Sequence, residues 1–135
     1  MVDQPRRQFR LPEPDERHLD GFGLLWEAVV EGGNRWILIH ERPVVPGYRQ
    51  TKTLTAVLIP ANYPGEGPDM VYFSPALERS DGRGIANLVS QNVDGKPLQG
   101  WSRHRTPQNP WREGEDDLAS HLMLADSWLE RELRR

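Results

Sequence analysis

The fold class of this chain follows from the stretch Leu24-Leu25-Trp26-Glu27-Ala28-Val29-Val30-Glu31-Gly32-Gly33-Asn34-Arg35-Trp36-Ile37-Leu38-Ile39-His40. Residues 24–30 and 35–40 are rich in the aliphatic and aromatic side chains that favour strands. Between them, Gly32 and Gly33 tolerate the positive φ angles that tight hairpin turns require. The stretch therefore predicts a β-hairpin.

Two further strands are predicted after this hairpin. Residues 51–59 place β-branched side chains on one parity, which is typical of a half-buried strand. Residues 60–64 end this strand, and residues 70–73 form a short fourth one. Because short connections join the four strands in order, we expect an antiparallel meander.

Helices are predicted on either side of the meander. Residues 14–20 favour a short helix with Pro14 at its first position, and residues 1–12 are expected to form a loose arm. An apolar stripe with spacings of three and four residues predicts a long C-terminal helix. The stripe consists of Leu118, Leu122, Ala125, Leu129 and Leu133. The predicted class is α+β: residues 13–135 form one domain whose four-stranded antiparallel meander packs on the C-terminal helix.

The composition limits the classes of function. The chain has 135 residues, which suits a single core, and its net charge of −3 argues against a nucleic-acid-binding surface. No apolar run approaches the roughly 20 residues that cross a bilayer, and the N-terminus lacks the apolar segment of a secretory signal. We therefore expect a cytoplasmic protein that binds neither nucleic acid nor membranes.

The chain contains no cysteine, which excludes disulfides, thiolate metal ligands and thiol catalysis. Any covalent catalysis must use an oxygen or nitrogen nucleophile. The four histidines show no paired i, i+4 spacing, so no metal site is predicted and no cofactor is expected. Residues 74–114 lack a sustained period, and a long irregular segment in a compact domain is often functional. We therefore expect the site in this segment.

Two groups of residues carry a resemblance to a known family. The run Tyr63-Pro64-Gly65-Glu66-Gly67-Pro68 leads into the strand Met70-Val71-Tyr72-Phe73, as a Tyr-Pro pair and a proline do in ubiquitin-conjugating enzymes. The string Gly100-Trp101-Ser102-Arg103-His104-Arg105, with Trp111 and Gly47-Tyr48, resembles the cysteine-free prokaryotic ubiquitin-conjugating family E. This resemblance covers residues 12–133 and implies the ubiquitin-conjugating-enzyme-like fold.

The resemblance also implies partners. Family members are encoded beside a protein of fused ubiquitin-like domains, a ThiF-type activating enzyme and an isopeptidase. The implied role is to accept the C-terminus of the ubiquitin-like protein from the activating enzyme. This chain departs from the eukaryotic pattern, since its N-terminal helix is reduced to residues 14–20 and two C-terminal helices are missing. The His-Pro-Asn signature is absent too, although Asn92 occupies a comparable place.

Aligning the Tyr-Pro pair and Trp111 with the family places Ser102 at or beside the usual cysteine position. The hydroxyl of Ser102 is the expected acyl acceptor, which would form an oxyester. His104 would lie on the same face of an extended segment and is the expected general base. Asn92 is the expected oxyanion donor by analogy. The alternative is that Ser102 is a turn residue and His104 belongs to a solvated basic patch.

A neighbouring surface is expected to hold the incoming tail. Trp101, Arg103 and Arg105 are candidates, because arginine binds carboxylates through a bidentate fork. The alternative is that the two arginines only keep the loop soluble. Trp26, Trp36 and Trp128 are expected in the core. Core packing is also favoured for Trp111, and the alternative is that Trp101 and Trp111, which flank the irregular segment, frame a groove for an extended tail.

Three functions remain open at this point. The first is a conjugating-type acyl transferase with a serine nucleophile. The second is an inactive module that binds a ubiquitin-like protein without a covalent bond, which the missing cysteine favours. The third is a structural adaptor without such a partner.

Overall fold

The computed structural model describes residues 4–135 and contains two helices and six strands in that range. In chain order these are α1 (Glu13–Gly21), β1 (Trp26–Glu31), β2 (Asn34–Pro43), β3 (Lys52–Ile59), β4 (Val71–Ser74), β5 (Leu88–Val93), β6 (Lys96–Trp101) and α2 (Leu118–Glu132). Both predicted helices and all four predicted strands are confirmed. In residues 4–135 no helix is both long enough and apolar enough to cross a membrane.

The sheet is antiparallel throughout, with the strand order β1-β2-β3-β4-β6-β5. The predicted count of four strands is therefore wrong, because the segment expected to be irregular contributes the hairpin β5–β6. Asp94 and Gly95 form its turn with φ angles of 56° and 75°, the conformation that an Asp-Gly hairpin turn requires. Five of the six side chains of β5 are exposed, so the strand lacks the apolar alternation that would have identified it.

Of the loose arm predicted over residues 1–12, residues 1–3 lie outside the described residues, and residues 6–8 are bound to the sheet. Ala28 on β1 donates its backbone N–H to the carbonyl of Arg6 and accepts a bond from the N–H of Gln8, at 2.9 and 2.8 Å. The Arg7 guanidinium lies 3.4 Å from the centre of the Trp26 ring. Residues 6–8 thus cover the outer edge of β1, where unpaired backbone groups would otherwise face solvent.

Helix α2 lies against one face of the sheet, as its apolar stripe predicts. Asp117 caps its N-terminus by accepting a bond from the backbone N–H of Ser120 at 2.8 Å. The stripe members Leu118, Leu122, Ala125 and Leu129 are buried, and Leu133 packs against them in part. Burial of this stripe supplies most of what holds the helix in place, since propensity alone contributes little.

The opposite face of the sheet has a core of its own. Val93 and Leu98 of the β5–β6 hairpin pack with Trp36 and Leu38 of β2. At the tip of the hairpin, the carboxylate of Asp94 binds the guanidinium of Arg6 at 2.8 Å. The hairpin therefore bends over this face of the sheet. The contacts at its tip help to fix the position of its last residue, Trp101.

Candidate active site

Trp101 ends β6 and anchors the segment that follows it. Its side chain is completely buried, with edge-to-face contacts to the rings of Tyr48 and Phe73 at 6.1 and 6.0 Å between centroids. The prediction that Trp101 binds a peptide tail is therefore wrong, because the pleat of β6 turns this residue towards α2. The buried side chain of Trp101 instead fixes the position of the next residue, Ser102.

Ser102 is the first residue after β6 and is partly exposed. Its backbone N–H donates to the carbonyl of Asn87 at 3.0 Å, which continues the β5–β6 ladder by one rung. Its Oγ lies 3.3 Å from Nε2 of His104. The structure thus brings together Ser102 and His104, the two residues predicted to act as nucleophile and base.

Asp69 completes this group, and sequence reasoning missed it. One carboxylate oxygen, Oδ2, lies 2.6 Å from Nδ1 of His104. A carboxylate at this distance accepts the Nδ1–H proton, so the lone pair of Nε2 faces the Ser102 hydroxyl. Asp69 directly precedes Met70 in the turn that leads to β4, and only the tertiary fold brings it next to a residue 35 positions later.

The arrangement Asp69–His104–Ser102 has the order of groups that activates serine in acyl transfer. The imidazole can take the hydroxyl proton, and the carboxylate can hold the ring in the productive tautomer and stabilise its charged form. The side chains of His104 and Asp69 are 56% and 61% exposed, so a substrate can reach them without rearrangement. Ser102 and His104 were predicted from the sequence, and the structure adds Asp69 to them.

The guanidinium of Arg103 is largely occupied by partners within the protein. It donates to Oε1 of Glu132 on α2 at 3.1 Å and to the carbonyl of Asn87 at 3.2 Å. It also lies 4.9 Å from the centre of the Trp101 ring. Because Glu132 is almost fully buried, this ion pair ties the Ser102 segment to the end of α2.

Arg105 differs from Arg103 because its guanidinium is buried without a full set of partners. The side chain is 11% exposed, and its Nη1 lies 4.0 Å from a carboxylate oxygen of Asp116. Within the described chain, Nε and Nη2 have no hydrogen-bond acceptor. A buried guanidinium with two unpartnered nitrogens is costly unless a ligand or water supplies acceptors.

Trp111 lies over Arg105 and forms one wall of a surface groove. Its ring centre is 5.0 Å from the Arg105 guanidinium, and its Nε1–H donates to the carbonyl of Pro64 at 2.9 Å. The ring also packs directly on Gly67. Trp111 is only partly buried, so its predicted place in the core is wrong, whereas Trp26, Trp36 and Trp128 are buried as predicted.

The groove has a volume of about 730 Å³ and is open to solvent. The residues that line it include Gly67, Pro68, Asp69, Arg105, Pro110 and Trp111. Asp69 therefore belongs both to the groove and to the group around His104. A ligand lying in the groove would contact Asp69, whereas neither Ser102 nor His104 lines the groove.

Asn92 does not join this group. It lies on β5 opposite Pro97, whereas Ser102 follows Trp101, which is opposite Leu88. Four residues of strand correspond to about 13 Å, too far for a hydrogen bond to a substrate atom at Ser102. The asparagine beside Ser102 is Asn87, and it offers a carbonyl acceptor rather than a donor.

The other two histidines near the sheet have structural partners. His121 is fully buried, and its Nε2 lies 3.0 Å from the carbonyl of Met70. Burial lowers the pKa of His121 to about 4, so this ring is neutral at pH 7. His40 lies 2.9 Å from the carboxylate of Glu27. A hydrogen bond from Arg6 helps to lower the Glu27 pKa to about 2.

Of the comparisons with known proteins, one identifies the family of this chain. No curated protein and no solved structure matches the chain. The family model described as prokaryotic E2 family E matches residues 11–132, which confirms the resemblance found in the sequence. A match over almost the whole chain leads to one conclusion: this protein belongs to prokaryotic E2 family E and is a conjugating-enzyme-like protein.

Proposed function

We propose that this protein is an acyl carrier of a bacterial ubiquitin-like pathway that uses Ser102 in place of a cysteine. A ThiF-type activating enzyme would deliver the C-terminal acyl group of a ubiquitin-like protein, and Ser102 would hold it as an oxyester. The observation that carries the proposal is the sequence of short contacts from Asp69 through His104 to Ser102 Oγ. The expected compartment is the cytoplasm, where the activating enzyme finds ATP.

In the proposed transfer, His104 carries the proton in both halves of the reaction. Nε2 of His104 removes the hydroxyl proton of Ser102 as Oγ attacks the activated carbonyl carbon. Asp69 stabilises the imidazolium that forms, and the ring then gives the proton to the departing group of the activating enzyme. In the second half, an acceptor amine attacks the ester, its proton passes to Nε2, and Ser102 recovers its hydroxyl. An isopeptidase of the same pathway would reverse the final product.

The groove beside the site is the proposed seat for the incoming tail. Once the Trp111 ring that lies over Arg105 moves aside, carbonyl oxygens of an extended peptide would accept hydrogen bonds from the buried, unpartnered Nε and Nη2 of Arg105. The Trp111 ring offers a flat wall for a glycine-rich chain. Arg103 is a weaker candidate for this role, because Glu132 and the Asn87 carbonyl already occupy its donors.

The test is to mix the protein with its ubiquitin-like partner, the activating enzyme and ATP, and to look for an adduct by mass spectrometry. We expect a base-labile adduct on Ser102 that Ser102→Ala abolishes. Ser90→Ala is the matched control, since Ser90 is an exposed serine on the adjacent strand β5. An adduct that persists in Ser102→Ala would exclude Ser102 as the acceptor.

A second variant tests the chemistry by changing the nucleophile. Ser102→Cys should form a thioester, which dithiothreitol cleaves at neutral pH while the wild-type oxyester survives. If neither variant nor wild type forms an adduct with active partners, the carrier role is wrong.

The second candidate function is non-covalent binding of the same partner. It is favoured by the groove and by the unpartnered nitrogens of Arg105, since neither feature requires Ser102 to react. In that case Arg105→Ala would weaken binding in a calorimetric titration, Ser102→Ala would not change it, and no adduct would form. A structural adaptor would show no affinity for the ubiquitin-like protein.

A further inference from the structure

The candidate site is exposed to water, which can hydrolyse an ester intermediate. His104 and Asp69 are more than half exposed, at 56% and 61%. Enzymes that hold a reactive acyl group for transfer usually exclude water, since water competes with the intended acceptor. Among residues 4–135 no helix or strand covers the outer side of the His104 ring. The acyl group on Ser102 would therefore lie within reach of bulk water.

We propose that the Asp69–His104–Ser102 group is also a hydrolytic site, which makes the chain alone a slow esterase for small, activated acyl esters. The inference deepens the proposed function because it rests on Ser102 as the nucleophile. It adds a second reaction of the acyl-serine, namely hydrolysis, which is not part of conjugation. The acyl-serine passes to water unless a bound partner shields it.

The reaction balances without any other reagent. Ser102 Oγ attacks the ester carbonyl while its proton moves to Nε2 of His104, and the alcohol leaves with that proton. A water molecule then attacks the acyl-serine, gives a proton to Nε2, and releases the carboxylic acid as Ser102 takes the proton back. The net change is ester plus water to acid plus alcohol, with Asp69 unchanged.

The surroundings of Ser102 indicate a slow reaction with a restricted substrate class. The backbone N–H of Ser102 is already bound to the Asn87 carbonyl, so it cannot stabilise an oxyanion. The nearest donors of Arg103 are shared between Asn87 and the carbonyl of Ser102 at 3.2 and 3.4 Å. Loss of a good oxyanion donor costs roughly 10²–10³-fold in rate. Esters with good leaving groups therefore fit this site, whereas amides do not.

The same geometry provides a means of control. Asp69 lines the groove and also binds His104, so a peptide in the groove would cover the group at Asp69. Docking of the tail would then deliver the acyl group and exclude water in one step. An acyl group delivered without a docked tail would be lost to hydrolysis.

The experiment uses the purified chain and 4-nitrophenyl acetate, with release of 4-nitrophenolate followed by absorbance. We expect turnover at least about 10-fold above Ser102→Ala, in line with one positioned base, and an acetyl group on Ser102 in acid-quenched samples by mass spectrometry. Surface imidazoles also cleave this ester non-specifically, so His18→Ala measures part of that background. Both His18→Ala and Ser90→Ala are matched controls that should keep the Ser102-dependent rate. Asp69→Asn should lose most of the Ser102-dependent rate.

Two results would overturn the proposal, and they differ from failure of the proposed function. If Ser102→Ala hydrolyses the ester as fast as wild type, the site is not hydrolytic. If acetyl accumulates on Ser102 and stays for hours, Ser102 is a nucleophile but water does not reach the ester. The carrier role is judged separately, by the adduct with the ubiquitin-like protein.

Discussion

The segment between β3 and β4 binds a partner at each end, and the two ends differ in their exposure to water. At one end the Tyr63 hydroxyl donates to Asp15 on α1 at 2.7 Å, and Asp15 is only 3% exposed. At the other end Asp69 binds His104 at 2.6 Å, and both side chains are more than half exposed. The bonds are of similar length, but their environments are opposite.

The two pairs differ in how much they contribute to stability. Asp15 also accepts a bond from the backbone N–H of Leu118 at 3.1 Å, so it links α1, the Tyr63 turn and the start of α2. Burial and the bond to Asp15 raise the pKa of Tyr63, so its hydroxyl stays protonated and keeps donating. A solvated pair such as Asp69–His104 contributes little to folding. The proposed chemistry at Ser102 would give this pair a role that stability does not require.

The largest effect is expected from a substitution that disrupts the exposed Asp69–His104 pair. Asp69→Asn keeps the shape but cannot hold the His104 tautomer with a full charge, so acylation of Ser102 should fall by about 10²–10⁴-fold. The free energy of unfolding should change by less than about 0.5 kcal/mol. Quenched mass spectrometry measures the first quantity, and urea titration measures the second. A large loss of stability with unchanged acylation would reverse the comparison.

The buried end should behave in the opposite way. Asp15→Ala leaves the Tyr63 hydroxyl and the Leu118 N–H without acceptors in a dry environment, at a cost of about 3–4 kcal/mol in unfolding free energy. The folded fraction should still acylate Ser102 at nearly the wild-type rate. Urea titration with acylation measured on folded protein gives both values. The double variant Asp15→Ala with Tyr63→Phe should lose less than the two single losses added.

The two histidines next to this segment sharpen the comparison through pH. Burial lowers the pKa of His121 to about 4, below the value near 6.5 of an unfolded histidine. Its contribution to stability is therefore full above pH 6.5 and is lost as the pH falls towards 4, by about 3 kcal/mol. His121→Gln should remove this slope, whereas His104→Gln on the surface should keep it. Urea titrations at pH 7.0, 5.5 and 4.5 test the difference between these variants.

The sequence identified the parts of the fold that depend on local patterns. The Gly32-Gly33 turn and the apolar stripe of α2 were found because each is read within a few residues. The β5–β6 hairpin was missed although Asp94-Gly95 is a turn signal. The exposed polar residues of β5 hide the strand period. An edge strand that folds over the sheet depends on tertiary contacts that no local pattern contains.

The candidate site was predicted only where its members are close in sequence. Ser102 and His104 are two residues apart, so an extended segment brings them together. Asp69 lies on another loop and is placed there by the β4–β6 pairing of Val71 with Trp101. Trp101 is buried because the direction of a strand side chain depends on the pleat and not on residue type. Trp111 is partly exposed at the groove, which was the alternative to its expected place in the core.

The smallest effect is expected in the groove. A methyl group on residue 67 would overlap the ring of Trp111, so Gly67→Ala must displace the indole that covers Arg105. Because the groove is open, relaxation should limit the loss of stability to about 1–2 kcal/mol. Transfer from the ubiquitin-like protein should fall several-fold, since the tail loses its wall, while hydrolysis of 4-nitrophenyl acetate should stay unchanged. Gly84→Ala is the matched control, since a methyl group there meets nothing within 4 Å. Equal losses in both assays would mean that the groove and the Asp69–His104–Ser102 group are one site rather than two adjoining ones.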